Sequence, residues 1–140
     1  MRDGMAGRAI QSKHICHVPM NIQLSSSPKT SCTFVTTLDQ EECITRVQDI
    51  LDIMAWGGEQ GTNRILLTER NFSAAFYDLK TGLAGEILQK LSNYGCRLAI
   101  EGTFTTVRSE RFRELMREAN AGSQIRFSRT REEAIAWLTT

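Results

Sequence analysis

Apolar positions along this chain change their period several times, and each change predicts an element. Over residues 14–23, Ile15, Val18 and Ile22 stand out from polar neighbours as in an extended strand, interrupted near Pro19, which has no N–H to give to a ladder. Residues 25–29 (SSSPK) have turn composition. Residues 31–37 (SCTFVTT) read as a second strand, so the pair predicts a hairpin. The period then lengthens. Asp39 with Glu42 three residues later fits a helix N-cap and capping box. Behind them Ile44, Val47, Ile50, Leu51 and Met54 recur at helical spacing, and Gly57-Gly58 is expected to stop the helix.

Residues 64–69 (RILLTE) and 96–101 (CRLAIE) are short, nearly continuous apolar runs, the pattern of strands buried on both faces. Between them the loop NFSAAFYDL leads into a helix over residues 81–94, with Leu83, Ala84, Ile87, Leu88 and Leu91 on one face and Gly95 at its end. Ser109 opens a helix to about Asn120, with Phe112, Leu115, Met116 and Ala119 inward and Gly122 beyond. A short strand follows at 124–127 (QIRF), and Thr130 with Glu133 caps a last helix carrying Ala134, Ile135, Trp137 and Leu138. The order β-β-α-β-α-β-α-β-α predicts a single α/β domain over 14–140: an N-terminal β-hairpin, then strands and helices alternating on a mostly parallel sheet. Residues 1–13 read as a flexible leader. No internal repeat or second core is visible.

Composition narrows the function classes. The chain has 140 residues, 41% hydrophobic and 24% charged, with a formal net charge of +1. No basic field points to nucleic acid. No apolar run is long enough to span a membrane, and the first fifteen residues, with Arg2, Asp3, Arg8 and Lys13 and no apolar block, do not support a secretory signal. Cys16, Cys32, Cys43 and Cys96 are scattered without a CxxC pair, which reads as reduced thiols in a cytoplasm.

The chemistry-bearing stretch is FYDLKTGLAGEILQKLSNYG, residues 76–95. Asp78, Lys80 and Thr81 are the polar groups at the entrance of its helix, where unpaired N–H groups attract caps or anions. Gly82 and Gly85 either let the helix pack closely or let an anion or a partner backbone approach; close packing is the favoured reading. Neither GxxxxGK[ST] nor GxGxxG is present, so nucleotide-binding loops are not supported. Glu86 and Lys90 are spaced for an ion pair, and Gln89 and Asn93 extend that polar side. Glu69, Asp78 and Glu101 could meet at strand C-terminal ends, although Glu69 and Glu101 read first as solvated charges. His14, Cys16 and His17 are too few for a zinc site, so no metal is expected. Around the helix after Ser109, Arg108, Arg111, Arg113 and Arg117 are interleaved with Glu110, Glu114 and Glu118, which reads as a salt-bridged surface.

Residues from about 46 to 138 resemble an uncharacterised bacterial domain-of-unknown-function family whose hallmark is a FFDLKTGLAGEILQK-type block. The ILDIM helix, RILLTERNFS, CRLAIEGTF, the EAN of residues 118–120 and the terminal REEAIAWL agree with it. The resemblance implies a fold similar to STAS domains, the anti-sigma-factor-antagonist type. There an acidic residue, a hydroxyl residue and Gly-Leu mark a strand-to-helix junction. Asp78, Thr81, Gly82 and Leu83 stand in that order here, with one residue more than the usual spacing. By that likeness Thr81 occupies the place of a phosphorylation site. Thr103 stands where the family usually has aspartate.

The expectation is a cytoplasmic STAS-like binding or regulatory module rather than an enzyme, with no catalytic residues and no cofactor. It would meet a protein partner through Asp78, Lys80, Thr81, Gly82, Gly85, Glu86, Gln89 and Lys90. The alternative is a small-molecule or anion-binding domain, or an enzyme, at the same junction. A homo-oligomer using that helix is a third option. Nucleic acid and membrane are not expected partners.

Overall fold

The computed structural model describes residues 21–140. Its elements are β1 (Ile22–Ser26), β2 (Thr33–Thr37), α1 (Val47–Glu59), β3 (Arg64–Thr68), α2 (Leu83–Tyr94), β4 (Arg97–Glu101), α3 (Glu110–Ala121), β5 (Ile125–Ser128) and α4 (Arg131–Leu138). The five strands lie side by side in chain order. β1 pairs antiparallel with β2, from Ile22 opposite Thr37 to Ser26 opposite Thr33. The other three pairings are parallel. This is the hairpin-plus-parallel-sheet architecture the pattern predicts. β1 runs through two serines assigned to the turn, and the part of the expected strand before residue 21, with His14, Cys16, His17 and Pro19, lies outside the described residues.

Strand alternation divides the sheet into two faces. Val35, Ile65, Leu67, Leu98, Ile100, Ile125 and Phe127 turn toward one face and pack with Ile50, Ile53, Ile87, Leu91 and Phe112 of α1, α2 and α3. Phe34, Leu66 and Ala99 turn to the other, against Ala134 and Leu138 of α4. Three parallel crossovers advancing in one direction with one hand place their helices on a single face, and α4, after the last strand, covers the opposite one. The central strands are therefore buried on both sides, hence their unbroken apolar runs.

The first helix begins later than Asp39. Asp49 accepts from the amides of Thr45 (2.9 Å) and Arg46 (3.2 Å) and so closes the N-terminus of α1. Asp39 accepts from the Glu41 amide and the Asn21 side chain instead. Tertiary contacts override the local capping signal: Cys43 and Ile44 donate their amides to the carbonyl of Asn71, and Ile44 bridges to Phe72. Nor do the paired glycines stop the helix, which runs to Glu59. Gly57 has a packing role, since a Cβ there would lie 3.0 Å from Val35 Cγ2 and 3.2 Å from the Thr62 carbonyl.

On α3 no ion pair forms between the alternating arginines and glutamates, contrary to the sequence pattern; Arg113 donates to the Val107 carbonyl at 2.6 Å. At its end Asn120 accepts from the Phe127 amide (2.8 Å) and donates to the Phe127 carbonyl (3.1 Å), covering part of the outer edge of β5.

Candidate functional site

The C-terminal ends of β3 and β4 carry two neighbouring connections, residues 69–82 and 102–109. An aromatic chain holds them down. Phe76 is 1% exposed and contacts Phe72 (4.4 Å between centroids), Tyr77 (5.0 Å) and Phe112 (5.6 Å). Phe112 meets Phe127 at 6.0 Å, which meets Phe104 at 5.4 Å. Such tilted and edge-on pairs add to the stabilisation from burial alone. The connection 69–82, which contains NFSAAFYDL, thus holds three short 3₁₀ turns, Glu69–Asn71, Ala74–Tyr77 and Leu79–Thr81, packed on their own aromatics.

Glu69 is not a solvated strand-end charge. Its carboxylate accepts from the Phe104 amide (3.0 Å) and the Thr106 hydroxyl (3.4 Å), while its carbonyl accepts from the Tyr77 hydroxyl (2.6 Å). It sits where Gly102 has no side chain: a Cβ on Gly102 would come 2.5 Å from Glu69 Cβ. The clamp holds Phe104 at φ +57, a left-handed conformation costly for a non-glycine residue. Glu69 was named from the sequence but read as solvated, and its role as a positioning group was missed; the GTF loop opposite, with its glycine at the strand end, was the available signal. Thr103 lies exposed on the same loop.

Between the two connections lies an open cleft of about 260 Å³, lined by Ala74, Tyr77, Asp78, Thr106, Val107 and Arg108. Of the residues singled out from the sequence only Asp78 lines it. Lys80, Glu69 and Glu101 do not converge there, and Lys80, Thr81, Gly82, Gly85, Glu86, Gln89 and Lys90 lie along the turn and helix to one side. Among the described residues no three His, Cys, Asp or Glu side chains gather as metal ligands.

The helix entrance is built from internal caps. Asp78 accepts from the Lys80 amide at 3.1 Å. The Thr81 hydroxyl has the Ala75 carbonyl at 2.6 Å and the Asp78 carbonyl at 2.9 Å as acceptors, and itself accepts from the Leu83 amide at 3.3 Å. Gly82 caps α2 at φ +79, a conformation that calls for glycine. The packing reading of the two glycines is overturned. A Cβ on Gly82 or Gly85 would meet nothing within 4 Å, and both are exposed. Gly82 serves the turn. Gly85 serves no contact in the fold, and its amide, like that of Ala84, receives no hydrogen-bond acceptor among the described residues. Glu86 and Lys90 form no ion pair; Gln89 donates to Asn93 at 2.9 Å.

Two ionisable groups near these loops are strongly perturbed. Burial, reinforced by Glu69, pushes the Tyr77 phenol above its ordinary 10.0. Burial, reinforced by Asp49, Asp39 and Glu42, pushes the Cys43 thiol from 9.0 up to about 11. Both shifts favour the neutral form in the folded state. Their contribution is complete below pH 9.0 and declines as pH rises, first through Cys43 up to about 11 and above 10.0 through Tyr77. The melting temperature is therefore expected to fall on moving above pH 9.0, and the Tyr77→Phe variant to fall less steeply above pH 10.0, as read by thermal denaturation across that range.

No helix among the described residues is long and apolar enough to cross a membrane. No curated protein and no solved structure matches the chain. One family does, over residues 29–138, and it takes in the hairpin's second strand, the clamp at Glu69, the α2 entrance and α4. With most of its length so matched, the chain belongs to the family of the domain of unknown function DUF4180.

Proposed function

We propose that the protein is a non-enzymatic, cytoplasmic binding module of STAS-like character that meets a protein partner through the α2 entrance and its exposed face. The observation that carries this reading is Gly85. Glycine in a helix costs roughly 0.5–1 kcal/mol relative to alanine. Here that cost has no return within the fold, because the site of its missing side chain is open space. The bare backbone of Gly82 and Gly85, the Gly85 amide, which has no acceptor among the described residues, and the neighbouring Lys80 suit close approach by a partner's main-chain carbonyl or carboxylate. Glu86, Gln89 and Lys90 form the polar rim. The likeness of Asp78, Thr81, Gly82 and Leu83 to the STAS junction supports the same surface.

Phosphorylation of Thr81 is the switch this reading accommodates. It would remove the hydroxyl's donor bond to the Ala75 carbonyl and set negative charge at the start of α2, beside Lys80. The cleft between the loops lacks the convergent Lys80, Glu69 and Glu101 that a ligand site at this junction would use, which disfavours the anion-binding alternative.

Affinity capture with the wild-type chain and a Lys80→Glu/Gln89→Arg variant tests the proposal. Both residues are exposed or rim-placed and carry no bond that holds the turn through their side chains, so the variant keeps its fold. A partner retained by wild type and lost with the variant is the expected result. A partner held equally by both rejects this surface.

A further inference from the structure

The other end of the strands carries a second cluster of unlike chemistry. Arg64 and Arg97 open β3 and β4 and face each other in register. Together with Arg126 of β5 they fall on the α4 side of the sheet, alternate to the residues that pack on α1–α3. Arg64 Nε donates to the Leu138 carbonyl at 2.8 Å, and an Arg97 terminal nitrogen reaches the same oxygen at 3.4 Å. Arg97 Nε reaches the Ser123 carbonyl at 3.4 Å, and Arg126 donates to the Asn120 carbonyl. Both Arg97 and Arg126 lie over the Trp137 ring, 4.1 and 5.9 Å from its centroid. Docking on the C-terminal carbonyls of α3 and α4 accounts for part of this arrangement, since the negative end of a helix favours cations.

It does not account for the whole. Like charges directly opposite on a sheet are destabilising. No carboxylate pairs with any of the three among the described residues, and most of their five N–H donors each remain unassigned. Arg97 is partly desolvated, and this with the neighbouring Arg64 lowers its affinity for its proton. Beside Arg126 and Trp137 runs an open groove of about 680 Å³, also lined by Arg129, Asn120, Ser128, Glu133 and Thr140. Its size is that of a small-molecule site.

We propose that the Arg64, Arg97 and Arg126 cluster beside Trp137 binds the phosphate group of a small organic molecule whose remainder lies in this groove. Phosphate fits better than carboxylate because its charge approaches two, against three gathered guanidinium groups, and its oxygens accept paired N–H donors. Of the three arginines Arg126 lines the groove directly, and Arg97 reaches its edge by stacking on Trp137, which also lines it.

Trp137 reports on its own site. In a Trp56→Phe background, which leaves Trp137 as the only described tryptophan, fluorescence is titrated with inorganic phosphate and with ribose 5-phosphate at constant ionic strength. A saturable emission change with either compound is expected, tighter for the sugar phosphate if the groove contributes. Arg126→Gln, checked for folding by circular dichroism, is expected to weaken binding by roughly tenfold or more. No saturable change with either compound, a change that chloride reproduces, or an unaltered affinity in a folded Arg126→Gln protein overturns the proposal.

Discussion

Replacing Asn71 with alanine is expected to destabilise the protein by about 3 kcal/mol. Asn71 is fully buried, and its side chain fills every role an amide can take. Its oxygen accepts from the Thr68 amide (2.8 Å), the Thr68 hydroxyl (3.0 Å) and the Thr37 hydroxyl (3.2 Å). Its nitrogen donates to the carbonyls of Glu41 (2.7 Å) and Asp39 (3.4 Å). Truncation leaves buried donors and acceptors without partners, at about 1–3 kcal/mol for each left dry. Because Asn71 also receives the Cys43 and Ile44 amides on its carbonyl, the residue sews the segment before α1 onto the end of β3. Chemical denaturation should show the loss, with Thr37→Val, which removes one of these bonds, costing only about 1 kcal/mol. An Asn71→Ala loss no larger than that of Thr37→Val contradicts the hub.

Phe76→Ala is the second large effect, expected at about 3–5 kcal/mol from lost burial and the cavity left behind. Phe76 joins the loop after β3 to Phe112 of α3, so its removal loosens the cleft and the α2 entrance together. The comparison is with Tyr94→Ala at a ring that is 64% exposed. Thermal unfolding of the two variants should differ widely; similar shifts would show that the aromatic chain does not hold these loops.

Much of this fold was legible from periodicity. RILLT and RLAIE announce buried parallel strands because both their faces are covered, by α1–α3 on one side and α4 on the other. The caps at Ser109 and Thr130 were equally plain, since each needs only its own side chain and an amide three residues on (3.1 Å in both). The start of α1 was not, because Asp39 and Glu42 carry a good local signal that Asn71, about thirty residues away, overrides. The clamp of Glu69 over Gly102 was hidden for the same reason: a contact across two strands leaves no spacing in the chain. The residues around 78–90 were singled out by their types and order, but the hydrogen bonds they make were not foreseen. The glycines looked like packing devices, and only the open space around Gly82 and Gly85 shows that neither makes room for a neighbour. The arginines of β3, β4 and β5 were invisible as a group, because sheet register alone assembles them.

The most direct test of the docking account is the affinity of the captured partner for purified Gly85→Ala protein, measured beside its stability. Alanine fits the open site and favours the helix, so the variant is expected to be more stable by about 0.5–1 kcal/mol. The account predicts that this better-folded protein binds its partner more weakly, because the added methyl group blocks close backbone approach. A more stable Gly85→Ala protein that binds its partner as tightly as wild type would contradict it.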